Sequence, residues 1–145
     1  MKWVTRERPK TDRIACPWLI KTFIDPDAEF LYVPADQVLE VAEREQAHSY
    51  DAPGARYTHR GGLCSFEVLV DEYGIDDPAI HILARIVHGA DVASDRDATP
   101  QSPGLQAIAE GFHYLIPDDD HRQLATELPV YDALYAWCKS QVTAG

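Results

Sequence analysis

WVTRERPKTDRIACPWLIKTFIDPDAEFLYVP, residues Trp3–Pro34, places two short apolar runs on either side of a longer amphipathic segment. WVT and EFLYVP have the β-branched and aromatic content of strands, and the span between them reads as a helix that ends near Phe23. Outward from there, a second helix is expected after Pro34, and ARYTH (Ala55–His59) reads as a third strand. That alternation is a βαβαβ-like rhythm. The strands are too short for a full doubly wound fold. The expected class is α/β (α+β), mostly helical, with a small, short-stranded sheet in the N-terminal 60 residues. Within the first helix Pro17 has no N–H and suits only a first turn, so the helix begins either beside Cys16 or near Asp12 with a kink.

Beyond residue 60 the pattern is helical. Ser65 is placed to cap a helix whose Phe66, Leu69, Val70 and Tyr73 fall at i, i+3, i+4 and i+7, and Gly74 can stop it. Asp77 before Pro78 opens the next helix, with Ile80, Leu83, Ala84 and Val87 as its core stripe. Ser102-Pro103 opens another. Pro117 with Asp118, Asp119 and Asp120 opens one more, and YDALYAWCKS (Tyr131–Ser140) reads as a separate last helix. The segment Asp91–Gly104, rich in Asp, Ser and Pro, is the longest expected loop and could cover a site. No repeat is present. One domain, residues 1–145, is expected, since the chain is 145 residues long and 46% apolar, enough for a core without staples.

Thirteen basic against 24 acidic residues give a net charge of −11. That balance argues against direct nucleic-acid or anionic-membrane binding, both of which need clustered positive charge. Lys2, Arg6, Arg8, Lys10 and Arg13 nonetheless crowd the N-terminus, either as a receiver for an anion or as a solvated basic arm. Cys16, Cys64 and Cys138 form no CxxC pair, and an odd count fits a reducing compartment, so a cytoplasmic location is expected. MKWVTRERPK contains no apolar run for a signal sequence, and no stretch has the roughly twenty apolar residues that span a bilayer.

His81, Ala84, His88 and Asp91 are spaced by three, four and three, which places them along one flank of the fourth expected helix if Gly89 does not end it first. Imidazole and carboxylate are the ligand types of zinc, iron and manganese, and HxxD on a helix edge can give two ligands to one ion. His59 at the end of a strand and Glu67 in a first helical turn can supply two more. His59, Glu67, His88 and Asp91 therefore form a candidate metal set, with a divalent transition metal (iron, manganese or zinc) as cofactor. The alternative is ordinary structure: a strand-end hydrogen bond for His59, a dipole contact for Glu67 and a solvated edge for His88 and Asp91. His48 and His81 read as surface residues and His113 as a half-buried ring; His121 is undecided.

Cys64 stands just before a helix start, where a thiol can be acidified into a soft ligand or a reactive group; otherwise it is a small buried hydrophobe. Arg13 lies near Cys16 at another helix start. It could favour a thiolate there and clamp an oxyanion, or pair with Asp12 or a neighbouring carboxylate while Cys16 packs beneath Trp18. Cys16, Cys64 and Arg13 are the candidate catalytic residues. Cys138 reads as core.

The stretch Trp3–Pro34, together with YTHRGGLCSFEVL (Tyr57–Leu69), GIDDPAIHILARIVHGAD (Gly74–Asp91) and YDALYAW (Tyr131–Trp137), resembles the chromate-resistance domain that forms the C-terminal part of ChrB-type proteins. The resemblance runs from about Trp3 to Cys138. It marks Arg13, Cys16 and Trp18 in one motif, His59, Arg60, Cys64 and Glu67 in a second, and His88 with Asp91 in a third. It implies a domain found behind an N-terminal regulatory region or alone, associated with chromate-resistance operons and sometimes with rhodanese-like partners. Three functions are open. The first is a metal- and thiol-dependent reductase acting on chromate or a small thiol compound. The second is a non-enzymatic chromate or metal sensor acting with a regulatory partner, and the third is a metal-dependent hydrolase. The expected partners are a small oxyanion or thiol substrate, and either a second copy of the chain or a regulatory or rhodanese-like protein.

Overall fold

The computed structural model describes residues 1–144. Three parallel strands form the sheet: β1 (Lys2–Arg6), β2 (Glu29–Val33) and β3 (His48–Ser49), in the order β2-β1-β3. The register pairs Lys2 with Glu29 through Arg6 with Val33 on one side of β1, and Trp3 with His48 on the other. Successive side chains of a strand point to opposite faces. Val4 accordingly joins a small core with Val38, Val41, Ala52 and Ala55, whereas Trp3 joins the main core on the other side.

Among the described residues there are six α-helices: α1 (Asp12–Leu19), α2 (Val38–Glu45), α3 (Ser65–Glu72), α4 (Pro78–Asp91), α5 (Ser102–Leu115) and α6 (Asp120–Ala144). The α+β class with a small N-terminal sheet is the architecture observed. α1 begins at Asp12 and contains Pro17, and a π turn (Ile20–Ile24) continues it. α4 packs against α5 and α6, and α1 against α3 and α6, with Ile14, Leu19, Phe66, Leu69, Ile80, Leu83, Ile86 and Tyr131 fully buried between them. No helix is long and apolar enough to cross a membrane among the described residues.

Three expectations are corrected. ARYTH is not a strand; the third strand is His48–Ser49, and the later segment keeps one bridge, in which the Tyr57 N–H donates to the Ser49 carbonyl (3.1 Å) and the Tyr57 carbonyl accepts from the Asp51 N–H (2.8 Å). The turn at Asp51–Gly54, with positive φ at both ends, brings that bridge back onto β3. Residues 120–144 form one helix instead of two, with Pro129 inside it, because Leu124 before the missing N–H and Tyr131 and Cys138 after it stay packed in the core. Ser65 does not cap α3: Cys64 is the N-cap residue, and a carboxylate from α1 caps the helix. Gly89 does not end α4. A Cβ there would stand 2.3 Å from Ser102 Oγ, so glycine permits α5 to start against α4, where Ser102 Oγ donates to the Ile86 carbonyl (2.9 Å).

The basic N-terminus is not a free arm. Lys2 pairs with Glu45 (2.9 Å) and Arg6 with Asp51 (3.5 Å), and both lie on β1. His48 is half-buried with its ring 4.5 Å from that of Trp3; His81 is exposed and His113 half-buried.

Candidate functional site

β1 and β3 run parallel, so their carboxyl ends open on the same side, which is where ligands enter open parallel sheets. β3 leaves through Tyr50 to Asp51, and β1 leaves through Arg6 toward the start of α1 at Asp12. The first turn of α3 points at the same place. Its Ser65 N–H donates to Asp12 Oδ2 (2.7 Å) and its Phe66 N–H to Asp12 Oδ1 (3.3 Å), so a buried carboxylate on one helix satisfies the free donors of another.

His59 closes the cluster. Its Nε2 lies 3.1 Å from Asp91 Oδ2, 3.5 Å from Asp51 Oδ1 and 3.8 Å from Asp12 Oδ2. Asp51 also accepts from Ser65 Oγ (2.8 Å) and faces Arg13 Nε (3.3 Å) and Arg6 Nη2 (3.5 Å). One imidazole and three carboxylates therefore converge, with the two guanidiniums committed to one of the carboxylates.

The electrostatics follow from that layout. Burial, together with the charges of Asp91 and Asp51, lifts Asp12 well above the usual carboxylate range, against the pull of the Ser65 and Phe66 N–H groups. Burial and Asp51 likewise raise Asp91. Burial also works against Asp51, but His59, Arg13, Ser65 and Arg6 outweigh it and hold that carboxyl below its ordinary value. His59 is raised, by its bond to Asp51 first and by Asp91 against the effect of burial. Ligand atoms of Asp12, His59 and Asp91 all lie within 4.8 Å of one another, so the three could hold an ion.

On the far side of the α3 first turn stands a second group. His88 Nδ1 lies 2.5 Å from Glu67 Oε1, and His88 Nε2 lies 2.6 Å from Asp95 Oδ2. Cys64 N–H donates to Glu67 Oε1 (2.9 Å). Burial opposes a proton on His88, yet the Asp95 and Glu67 carboxylates outweigh it and raise the imidazole above its ordinary value.

The four residues expected as one ligand set are thus divided. His59 and Asp91 meet in the oxygen-rich group, whereas Glu67 and His88 meet in the other, although His88 and Asp91 are only three positions apart on α4. Asp12, Asp51 and Asp95 complete the two groups and were not among the expected ligands. A signal for Asp51 exists: an aspartate directly after a strand and before a Pro-Gly turn. Asp95 comes from the Asp91–Gly104 segment, which reaches His88 through this contact.

Cys16, Cys64 and Cys138 are free and fully buried, which is the enclosed one of the two readings open for Cys16 and Cys64. Burial, then the Asp12 charge, raises both Cys16 and Cys64, and Cys16 Sγ points at Asp12 Oδ1 (4.0 Å). Proximity to a helix start does not acidify Cys64, because desolvation exceeds what the helix dipole supplies. Arg13 lies away from Cys16: it pairs with Asp51 and donates to the Glu7 carbonyl (3.1 Å).

The family model described as "ChrB, C-terminal domain" matches residues 3–138. Protein ChrB of Cupriavidus metallidurans is 37% identical over 136 residues, which cover 92% of this chain and 40% of that protein. The chain therefore spans about two fifths of the length of that relative. No solved structure matches the chain. With a family match over nearly its whole length and that identity to a full-length relative, the chain belongs to the ChrB C-terminal domain family.

Proposed function

We propose that the domain serves chromate stress response as a metal-binding module, with a manganous or ferrous ion held by Asp12, His59 and Asp91. Family membership supports the chromate connection. The observation that carries the metal is the convergence of those ligand atoms within 4.8 Å, around carboxylates that repel one another unless a cation lies between them. Two carboxylates and one imidazole, with no sulfur, form a hard donor set of the kind that suits manganese or ferrous iron better than a structural zinc.

Three protein ligands leave coordination positions open, and Arg6 and Arg13 flank the cluster. Together they fit a small oxyanion such as chromate, bound directly to the ion. The full enclosure of Cys16 and Cys64 favours binding over thiol-dependent reduction, which needs a sulfur that the substrate can reach. Readout of the bound state then falls to a partner.

Manganese titration of the untagged protein, followed by electron paramagnetic resonance and elemental analysis, tests the assignment. One equivalent is expected, lost in His59→Ala and in Asp91→Asn and kept in His48→Ala. Stoichiometric manganese in both ligand variants would overturn it. Chromate should then bind saturably to the loaded protein and remain chromate; its consumption in the presence of a thiol reductant would return the domain to the reductases.

A further inference from the structure

We infer that Cys64, Glu67 and His88 form a second metal site, softer than the first and suited to zinc, with Asp95 as its orienting carboxylate. It stands on side chains that the oxygen-rich cluster does not use. A ligand atom from each of the three residues lies within 4.8 Å of the other two. Tetrahedral zinc, with bonds of roughly 2.0–2.3 Å, needs ligand atoms roughly 3.3–3.7 Å apart, a difference that side-chain rotation can close.

The backbone fixes two of the ligands relative to each other. Cys64 is the N-cap of α3 and Glu67 its third residue, and the Cys64 N–H donates to the Glu67 carboxylate (2.9 Å), which pins that side chain over the thiol. α4 supplies the third. His88 presents Nδ1 to Glu67 and Nε2 to Asp95. A carboxylate behind the far nitrogen is the arrangement that orients a metal-bound imidazole and sets its tautomer, with Nε2–H donated to Asp95 and the Nδ1 lone pair left for the ion.

Cys64 is fully buried, with its sulfur within 4.8 Å of ligand atoms of Glu67 and His88. Entry of a divalent ion releases the Cys64 S–H proton to solvent and moves or releases the proton shared between His88 and Glu67, so binding tightens as pH rises. Glu67 also lines a cavity of about 520 Å³ between α3 and α4, together with Leu63, Val70, Ile75, Ala84 and Arg85. Three protein ligands with an open position beside a cavity is the arrangement of a zinc site that takes an exogenous ligand, and a closed structural site would have four.

Cobalt(II) is the probe that sees sulfur. Titration of the metal-free protein with cobalt should give about one equivalent of a thiolate-to-cobalt charge-transfer band in the near ultraviolet, bleached by one equivalent of zinc. Cys64→Ser and His88→Ala should remove the band, and Asp95→Asn should weaken cobalt binding about 10- to 100-fold. His59→Ala, which disables the oxygen-rich cluster, should leave it in place, so failure of either site is read separately. Absence of the band in the wild-type protein would overturn the assignment without any variant. So would a band that survives Cys64→Ser. An imidazolium merely bridging Glu67 and Asp95 gives no band at all.

Discussion

The two ionisable groups flanking the α3 first turn use the same helix ends in opposite ways. On one side Asp12, Asp51 and Asp91 crowd a single imidazole, and the backbone donors of α3 serve a carboxylate from another helix. On the other, a single imidazole sits between two carboxylates, and the α3 donors are closed by its own Glu67. With the guanidiniums of Arg6 and Arg13 counted at Asp51, each group is close to balanced, but Asp12 is fully enclosed whereas Glu67 and Asp95 are partly open to solvent. The difference shows why a cation would relieve the enclosed carboxylates of the first group, whereas the second holds together by hydrogen bonds and has the donors for a softer ion.

The largest effect is expected at Asp12. Asp12→Ala leaves the Ser65 and Phe66 N–H groups buried without a partner and should cost about 3 kcal/mol, read by urea unfolding of the metal-free protein. Asp12→Asn keeps an acceptor and relieves repulsion from Asp51 and Asp91, so it should cost less than half as much. Equal losses would show that the charge, and not the cap, is what α3 requires.

Metal loading comes next. Manganese at 100 times its dissociation constant should raise the unfolding free energy by about 2.7 kcal/mol, seen as a Tm increase of several degrees. The same rise in His59→Ala would locate the ion elsewhere and end the contrast between the two groups.

Much of this arrangement was legible where the signal is local. α4 was readable from Asp77-Pro78 and the Ile80, Leu83, Ala84 and Val87 stripe, because a cap and a helical period need no knowledge of the rest of the chain. The third strand was not. His48–Ser49 is a strand only because Trp3 and Val4 pair with it, while ARYTH has strand composition and no full partner. α6 looked interrupted because Pro129 is a local breaker, and packing at Tyr131 and Cys138 overrides it. His59, Glu67, His88 and Asp91 were all singled out, but spacing along α4 could not reveal that His88 and Asp91 fall in different groups. The two readings of the thiols stay open in the sequence for a related reason: a helix start is visible there and the depth of its burial is not.

A third buried carboxylate sharpens the comparison, because it has no cluster. Glu127 is fully enclosed, with one oxygen 3.5 Å from Gln123 Nε2 and the other without a partner, and burial raises it to about 8 despite that amide. The folded state therefore holds its proton where the unfolded state has lost it. Stability should fall as pH rises from about 5 to 8 and level off above, and Glu127→Gln should flatten that slope, so that the variant gains on wild type steadily across the window. Parallel pH profiles for the two proteins would show that Glu127 ionises in place, and that burial alone does not explain the raised carboxyls beside His59.

The smallest effect, and the finest separation of cap from ligand, is at Glu67. Glu67→Ala removes the acceptor for the Cys64 N–H and should cost about 1 kcal/mol. Glu67→Gln keeps an oxygen there and removes only the charge facing His88, a contact whose worth is limited by the partial exposure of both side chains, so the change in stability should stay under about 1 kcal/mol. If the second site is a metal site, the same Gln variant should nonetheless weaken cobalt binding strongly, since a neutral amide is a poor ligand where a carboxylate is required. A Gln variant as unstable as the Ala variant would mean that the ion pair with His88, and not the cap, holds this end of α3 against α4, and the residue would then be structural on both counts.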